Sequence, residues 1–226
     1  MKHKKPFLVR VSSVTLIGAL LTLLCSCSPL NSGYNTNNSP PTLTADQYLA
    51  MANNSQGDIQ QDYLFKAANR SLNEQHFTKS QSIINQIIPS TPPMQVSKQL
   101  IQAKLYLKTK QLNAANTLLN TISSGNILLS QPDQITLLKL QAILAEAQGN
   151  IIDSINKRDQ LYPLLDADTD QQHQNTIAIW LSLQKLTTDQ LTEKNQLTPA
   201  STLKGWISLA LVTRQSQSPQ QLVTNI

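Results

Sequence analysis

Ala103-Lys104-Leu105-Tyr106-Leu107-Lys108-Thr109-Lys110-Gln111-Leu112-Asn113-Ala114-Ala115-Asn116-Thr117-Leu118-Leu119-Asn120-Thr121-Ile122 is the stretch that decides the fold. It holds the end of one apolar stripe (Val96, Leu100, Ala103, Leu107) and a polar break at Lys110-Gln111. A second apolar segment then opens on Leu112. Steps of three and four between apolar residues mark one face of a helix. Two other segments superpose on this one without gaps, Ala68–Ile87 and Ala142–Leu161. Phe77, Leu112 and Ile151 then fall together just after the break, and Ile87, Ile122 and Leu161 close each unit. Ser80, Ala115 and Ser154 align three residues into the second helix, and all are small.

The offsets are 35 and 39 residues, the extra four lying in a loop around Ser124–Pro132. A period near 34 with two helices per unit is the signature of tetratricopeptide-like repeats. The small residue lets the second helix approach the first, while bulky neighbours fill the groove between them. In the third unit Lys157 and Arg158 stand where the others have apolar residues, so this unit either ends the regular run or leans out to solvent. The expected fold is all-α, with tetratricopeptide-like helix-pair repeats in a short superhelical solenoid. Helices are expected near 45–54, 58–74, 78–88, 93–109, 112–122, 132–148, 151–164, 169–186, 189–195 and 200–215. Ser130 should cap the sixth of these, with Pro132 in its first turn. Leu137, Leu140, Leu144 and Ala147 should line one later stripe, Ile179, Leu183 and Leu186 another, and Leu203, Trp206 and Ala210 a third.

The amino terminus has another character. Lys2, Lys4, Lys5 and Arg10 precede an apolar run from Val11 to Leu24. A basic start, a short apolar run and a small-residue cut site make a secretory signal. The run is shorter than the ~20 residues of a permanent span. Leu24-Cys25-Ser26-Cys27 reads as a lipobox, with Leu three residues before Cys27 and a small residue directly before it. Residues 1–26 are therefore expected to be removed and Cys27 lipidated. Ser28 after it, rather than Asp, implies export to the outer membrane by resemblance to bacterial lipoproteins. Residues 27–43 are rich in Asn, Ser and Pro and read as a flexible tether, leaving 44–226 as one helical domain. The last residues, Gln220–Ile226, look like a helix just starting, and the domain is expected to be truncated before a second one.

Processing changes the charge. All 13 acidic residues follow Cys27, while four of the 18 Lys and Arg lie in the signal, which leaves 14 against 13, or +1. The basic balance of the whole chain is thus no footprint for nucleic acid. Cys25 leaves with the signal and Cys27 becomes a thioether, so thiol chemistry and thiolate metal sites are excluded.

Residues that carry catalysis elsewhere are sparse. His76 and His173 lie far apart in sequence, and neither belongs to a metal-binding pattern. Asp166-Ala167-Asp168-Thr169-Asp170 resembles the start of a calcium loop, but Gln171 and Ile177 stand where Gly and Glu are needed. Glu146 has no second carboxylate placed beside it, and glycosidases need a pair. Trp180 and Trp206 fall in apolar stripes and are read as core rather than as partner anchors. No catalytic residue, cofactor or metal is expected.

The last third of the chain carries a resemblance. Gln174-Asn175-Thr176-Ile177-Ala178-Ile179-Trp180-Leu181-Ser182-Leu183 is followed by Leu203-Lys204-Gly205-Trp206-Ile207-Ser208-Leu209. This pattern resembles the amino-terminal domain of the LpoA family, outer-membrane lipoprotein activators of a class A penicillin-binding protein. The lipobox, tether and repeats precede it in the family's order. The resemblance implies a monomer lipid-anchored to the outer membrane through Cys27, on the periplasmic side. It implies protein contact with a class A penicillin-binding protein, the peptidoglycan synthase, and activation of its transpeptidase. It also implies a second, α/β domain making the main synthase contact, so no partner-binding residues carry over. A tetratricopeptide scaffold lipoprotein of another envelope assembly machine is the alternative, and a wall-remodelling enzyme is a third.

Overall fold

The computed structural model describes residues 43–165 and 169–216. The signal at 1–26, Cys27 and nearly all of the tether lie outside these residues, as do Asp166–Asp168 and the segment at 220–226. Among the described residues the structure is helical throughout and holds no strand. It comprises α1 (Ala45–Asn53), α2 (Gly57–Asn73), α3 (Phe77–Gln86), α4 (Pro92–Lys108), α5 (Leu112–Ser124), α6 (Gln131–Ala147) and α7 (Ile151–Leu161). A 3-10 turn at Tyr162–Leu165 precedes α8 (Thr169–Gln184), α9 (Thr188–Leu197) and α10 (Thr202–Ser216). None of the described helices is long and apolar enough to cross a membrane.

The starts are set by local chemistry. Thr44 opens α1 with a reciprocal box, its hydroxyl accepting from the Gln47 amide while Gln47 accepts from the Thr44 N–H at 2.8 Å. Thr187 and Gln190 repeat this device at α9. Thr91 and Ser130 cap α4 and α6, each followed by proline in the first turn, where the missing N–H costs nothing.

The repeat exists at the level of the backbone. Helices α2, α4 and α6 each have 17 residues and start at the offsets read from the sequence. Each is joined to its partner, α3, α5 or α7, by three residues whose middle member is left-handed: Gln75 (φ 62°), Lys110 (φ 61°) and Gly149 (φ 80°). The next N–H then reaches back five residues into the first helix. His76 donates to the Ser71 carbonyl at 2.9 Å, Gln111 to Tyr106 at 2.8 Å and Asn150 to Ala145 at 2.8 Å. This bond satisfies a carbonyl that the helix end would otherwise orphan.

Ser80, Ala115 and Ser154 sit where the paired helices cross, and Ser80 and Ser154 have no exposed surface. Ala68, Ala103 and Ala142 on the first helices are equally inaccessible. In the first pair the Ser80 hydroxyl donates to the Ala68 carbonyl at 3.1 Å, which measures how closely the backbones approach. Successive pairs stack regularly: α2 packs on α4 and α4 on α6, while α3 packs on α4 and α5 on α6. Two apolar clusters result, one around Leu72, Ile83 and Ile84, the next around Leu100, Leu119 and Leu140. A third, around Ile155, Ile179, Leu183, Leu191 and Ile207, belongs to α7 through α10.

Some expectations need correction. Ala147 is exposed, and Ala145 is the buried alanine of α6. The reason lies in the repeat: Asn73 and Lys108, which align with Ala147, are also exposed at the last turn of their helices. The helix expected over 151–164 ends at Leu161, because Pro163 has no N–H to continue it, and the chain tightens to a 3-10 turn. The third unit does not lean out at Arg158, whose side chain is only 13% exposed. It ends the run instead, since α7 packs against α8 and α10 in place of another matching pair.

Candidate functional site

The sequence candidates for catalysis stay apart. His76 is the residue before α3, with its ring 60% exposed and Nδ1 3.5 Å from Glu74. His173 is an exposed residue of α8. Among the described residues, no group of His, Cys, Asp and Glu is arranged to hold a metal ion. Trp180 and Trp206 are half-buried against the third apolar cluster, as core residues of α8 and α10.

Glu146 faces cations. Its carboxylate lies 3.7 Å from the Arg158 guanidinium and accepts a hydrogen bond from Lys185. This ties α6 to α7 and to the end of α8. Burial pushes the Arg158 pKa down, and Glu146 partly offsets that by favouring the charged form. Asn175, 4% exposed on α8, donates to the Arg158 carbonyl at 2.8 Å, a second donor beside the Tyr162 N–H, and so ties α8 to the last turn of α7. Four side-chain atoms at this seam are buried without a partner: Ser154 Oγ, Arg158 Nε, Asn175 Oδ1 and Ser182 Oγ. The seam is a structural joint with no reacting pair in it.

A surface groove lies on the first helices of the pairs. A groove of about 460 Å³ runs between α2, α4 and α6. Its apolar lining comes from Phe65, Met94 and Leu100, and its polar lining from Asp58, Asp62, Asp133 and Lys104. Residues spaced by three, four and seven along one helix share a face, so Asp58, Asp62, Phe65 and Asn69 form a single stripe of α2. Lys104 donates to Asn69 at 3.3 Å and to Asn73 at 3.2 Å. Burial, with a contribution from Lys108, pushes its pKa down. Sequence reading missed this groove, because attention to the aligned apolar positions passes over the polar ones. The available signal was the row Asn69, Lys104 and Ile143, which aligns in the repeat yet changes chemistry from unit to unit.

Comparison with known proteins agrees with this architecture. The model of the family described as "LppC putative lipoprotein" matches residues 38–226. The chain belongs to the LppC family. Among curated relatives of this LppC-family chain, the penicillin-binding protein activator LpoA of Vibrio cholerae serotype O1 is 26% identical over 224 residues, covering 96% of this chain and 36% of the relative. The protein of the same name from Aliivibrio fischeri is 26% identical over 194 residues, covering 85% and 32%. The chain thus spans about a third of the length of the curated relatives it matches. Solved structures share the fold. The amino-terminal domain of E. coli LpoA superposes with a TM-score of 0.65 at 21% identity, covering 79% of this chain and 78% of that one. The corresponding domain from Haemophilus influenzae gives 0.64 at 20% identity, covering 80% of each. The similarity to LpoA amino-terminal domains expected from the two Trp motifs is thereby shown.

Proposed function

We propose that this LppC-family chain is an outer-membrane lipoprotein, anchored through Cys27, that regulates peptidoglycan synthesis by contact with a class A penicillin-binding protein and activates its transpeptidase. The observation that carries the reading is the family match over 38–226, joined to a helix-pair body that superposes on LpoA amino-terminal domains. The curated relatives are named as penicillin-binding protein activators. The described body is consistent with a role by contact, since its polar clusters are structural ties and its groove presents a surface.

Two measurements test this. The full chain, purified in detergent, is added to a class A penicillin-binding protein with lipid-linked precursor, and peptide cross-links in the product are counted. A rise in cross-linking together with co-purification of the synthase is expected. No binding and no change in cross-linking overturns the synthase reading. Separately, labelled palmitate should enter the wild-type chain and not the Cys27→Ala variant. The variant should leave the outer-membrane fraction, and label retained in it would place the anchor elsewhere.

A further inference from the structure

We propose that the edge of the domain formed by the connections between successive helix pairs rests on the lipid bilayer to which Cys27 holds the chain, with the apolar side chains of its loop tips inserted among neutral lipids. The two edges of the repeat differ in chemistry. The turns within the pairs are polar, Glu74-Gln75-His76, Thr109-Lys110-Gln111 and Gln148-Gly149-Asn150, and none of them carries an exposed large apolar residue. The opposite edge carries such residues in each successive unit. They are Ile59 in the first turn of α2, Ile88 between α3 and α4, Ile127 and Leu128 between α5 and α6, and Tyr162 after α7. Ile88 is 73% exposed and Leu128 91%. The connections 87–91 and 125–130 and the turn 162–165 contain no charged residue.

Hydrogen bonds place these tips side by side. Ile88 donates its N–H to Gln61 at 2.8 Å and Ser90 its hydroxyl to Asp58 at 3.4 Å, which ties the α3–α4 connection to the start of α2. Ser97 donates to Asp133 at 3.2 Å, joining the starts of α4 and α6, and Gln131 donates to the Leu164 carbonyl at 3.0 Å, joining α6 to the 3-10 turn. Exposed apolar side chains scattered singly are ordinary, but a row of them confined to one edge marks an interaction site. A bilayer is the occupant that the chain itself brings near, and this step rests on the proposed lipid anchor at Cys27. Residues 27–43 hold no charge and, fully extended, span about 56–61 Å. A 17-residue helix is about 25 Å long, so the tether lets this edge meet the surface. A short flexible link holds its target at roughly millimolar effective concentration. Loop tips too weak to bind free vesicles are then enough. Aliphatic tips favour the acyl boundary, and tyrosine suits the headgroup level. Asp58 and Asp133 stand at the helix starts behind the tips, so anionic headgroups add nothing and the contact is apolar.

The full chain is reconstituted into phosphatidylcholine vesicles doped with a diazirine-bearing phosphatidylcholine, floated, irradiated and digested, and lipid adducts are located by mass spectrometry. Adducts should be several-fold more frequent on peptides holding Ile88, Ile127–Leu128 and Tyr162 than on those holding Gln75, Lys110 and Gln148. The pattern should persist in high salt and should not strengthen with anionic lipid. The double variant Ile88→Glu with Leu128→Glu should still float and keep the wild-type circular dichroism spectrum. It should lose the adducts at Tyr162 too, because the edge settles as a unit. Where the glutamates disturb folding, Ile88→Ser with Leu128→Ser replaces them. A wild-type chain that fails to float refutes the lipid anchor alone. Its free cysteine is then coupled to a maleimide-bearing lipid, and the edge is read in the same way. Equal adducts on both edges, or none on either, overturn the proposal. So does loss of the pattern in high salt. Cross-links between the tips of two copies, in place of lipid adducts, would assign the edge to a second copy and overturn it as well.

Discussion

The three inter-helix turns place one residue each in the left-handed region, and the repeat fills that position with Gln75, Lys110 and Gly149. Left-handed backbone costs an L-residue roughly 1–2 kcal/mol, and glycine nothing comparable. A Cβ at Gly149 would meet no atom within 4 Å, so its substitution is a pure backbone test. Gly149→Ala should lower stability by about 1 kcal/mol and Lys110→Gly should raise it by up to about 1 kcal/mol, both read from urea unfolding midpoints. The two serines at the helix crossings separate in the same assay. Ser80 donates to Ala68, whereas Ser154 Oγ is buried without a partner. Ser80→Ala should cost about 1 kcal/mol, and Ser154→Ala should be neutral or stabilising, because it removes an unmet hydroxyl. Equal losses at both sites would mean that Ser154 has a bond partner in solution.

At the scale of elements, the repeat ends for an identifiable reason. Ile83 and Ile84 of α3, and Leu118 and Leu119 of α5, present apolar surface to the next pair, while α7 offers Lys157 and Arg158 at the aligned positions. A charged stripe cannot take the same apolar neighbour. The guanidinium turns toward Glu146, and the Arg158 carbonyl is taken by Asn175. Asn175→Ala removes that tie between α8 and α7, while the Arg158 carbonyl keeps the Tyr162 N–H. A loss of about 1 kcal/mol is expected, with amide exchange rising first in α8. Uniform acceleration throughout the domain would instead show that α8 does not open separately. The Asn175 and Trp180 motif, read from the sequence only as a family resemblance, thus has a physical role in docking α8 onto α7.

For the domain as a whole, α4 contributes Ile101 and Leu105 to the first apolar cluster and Val96, Leu100 and Ala103 to the second, so these clusters share a helix. The third is confined to α7 through α10 and adjoins the seam with the unpartnered polar atoms. Neighbouring units coupled through shared helices unfold together, and weakly joined ones open alone. Amides of α8 through α10 should therefore exchange at a lower free energy than those of α2 through α6. Hydrogen exchange under native conditions measures this, and one common free energy for both groups would contradict it.

What the sequence by itself determined is the periodic part. Helix starts at Thr44, Thr91, Ser130 and Thr187 follow from caps and prolines, and the three pairs follow from apolar spacing and aligned small residues. These are short-range effects, expressed within a turn or two of helix, and a single chain displays them. Only the tertiary structure decided that Arg158 turns inward, that Ala145 rather than Ala147 is buried, and that Asp58, Asp133 and Lys104 line one groove. The Arg158–Glu146 pair joins residues 12 apart, and the groove joins residues as far apart as Asp58 and Asp133, 75 residues. Packing alone settles which face of a helix meets such a neighbour.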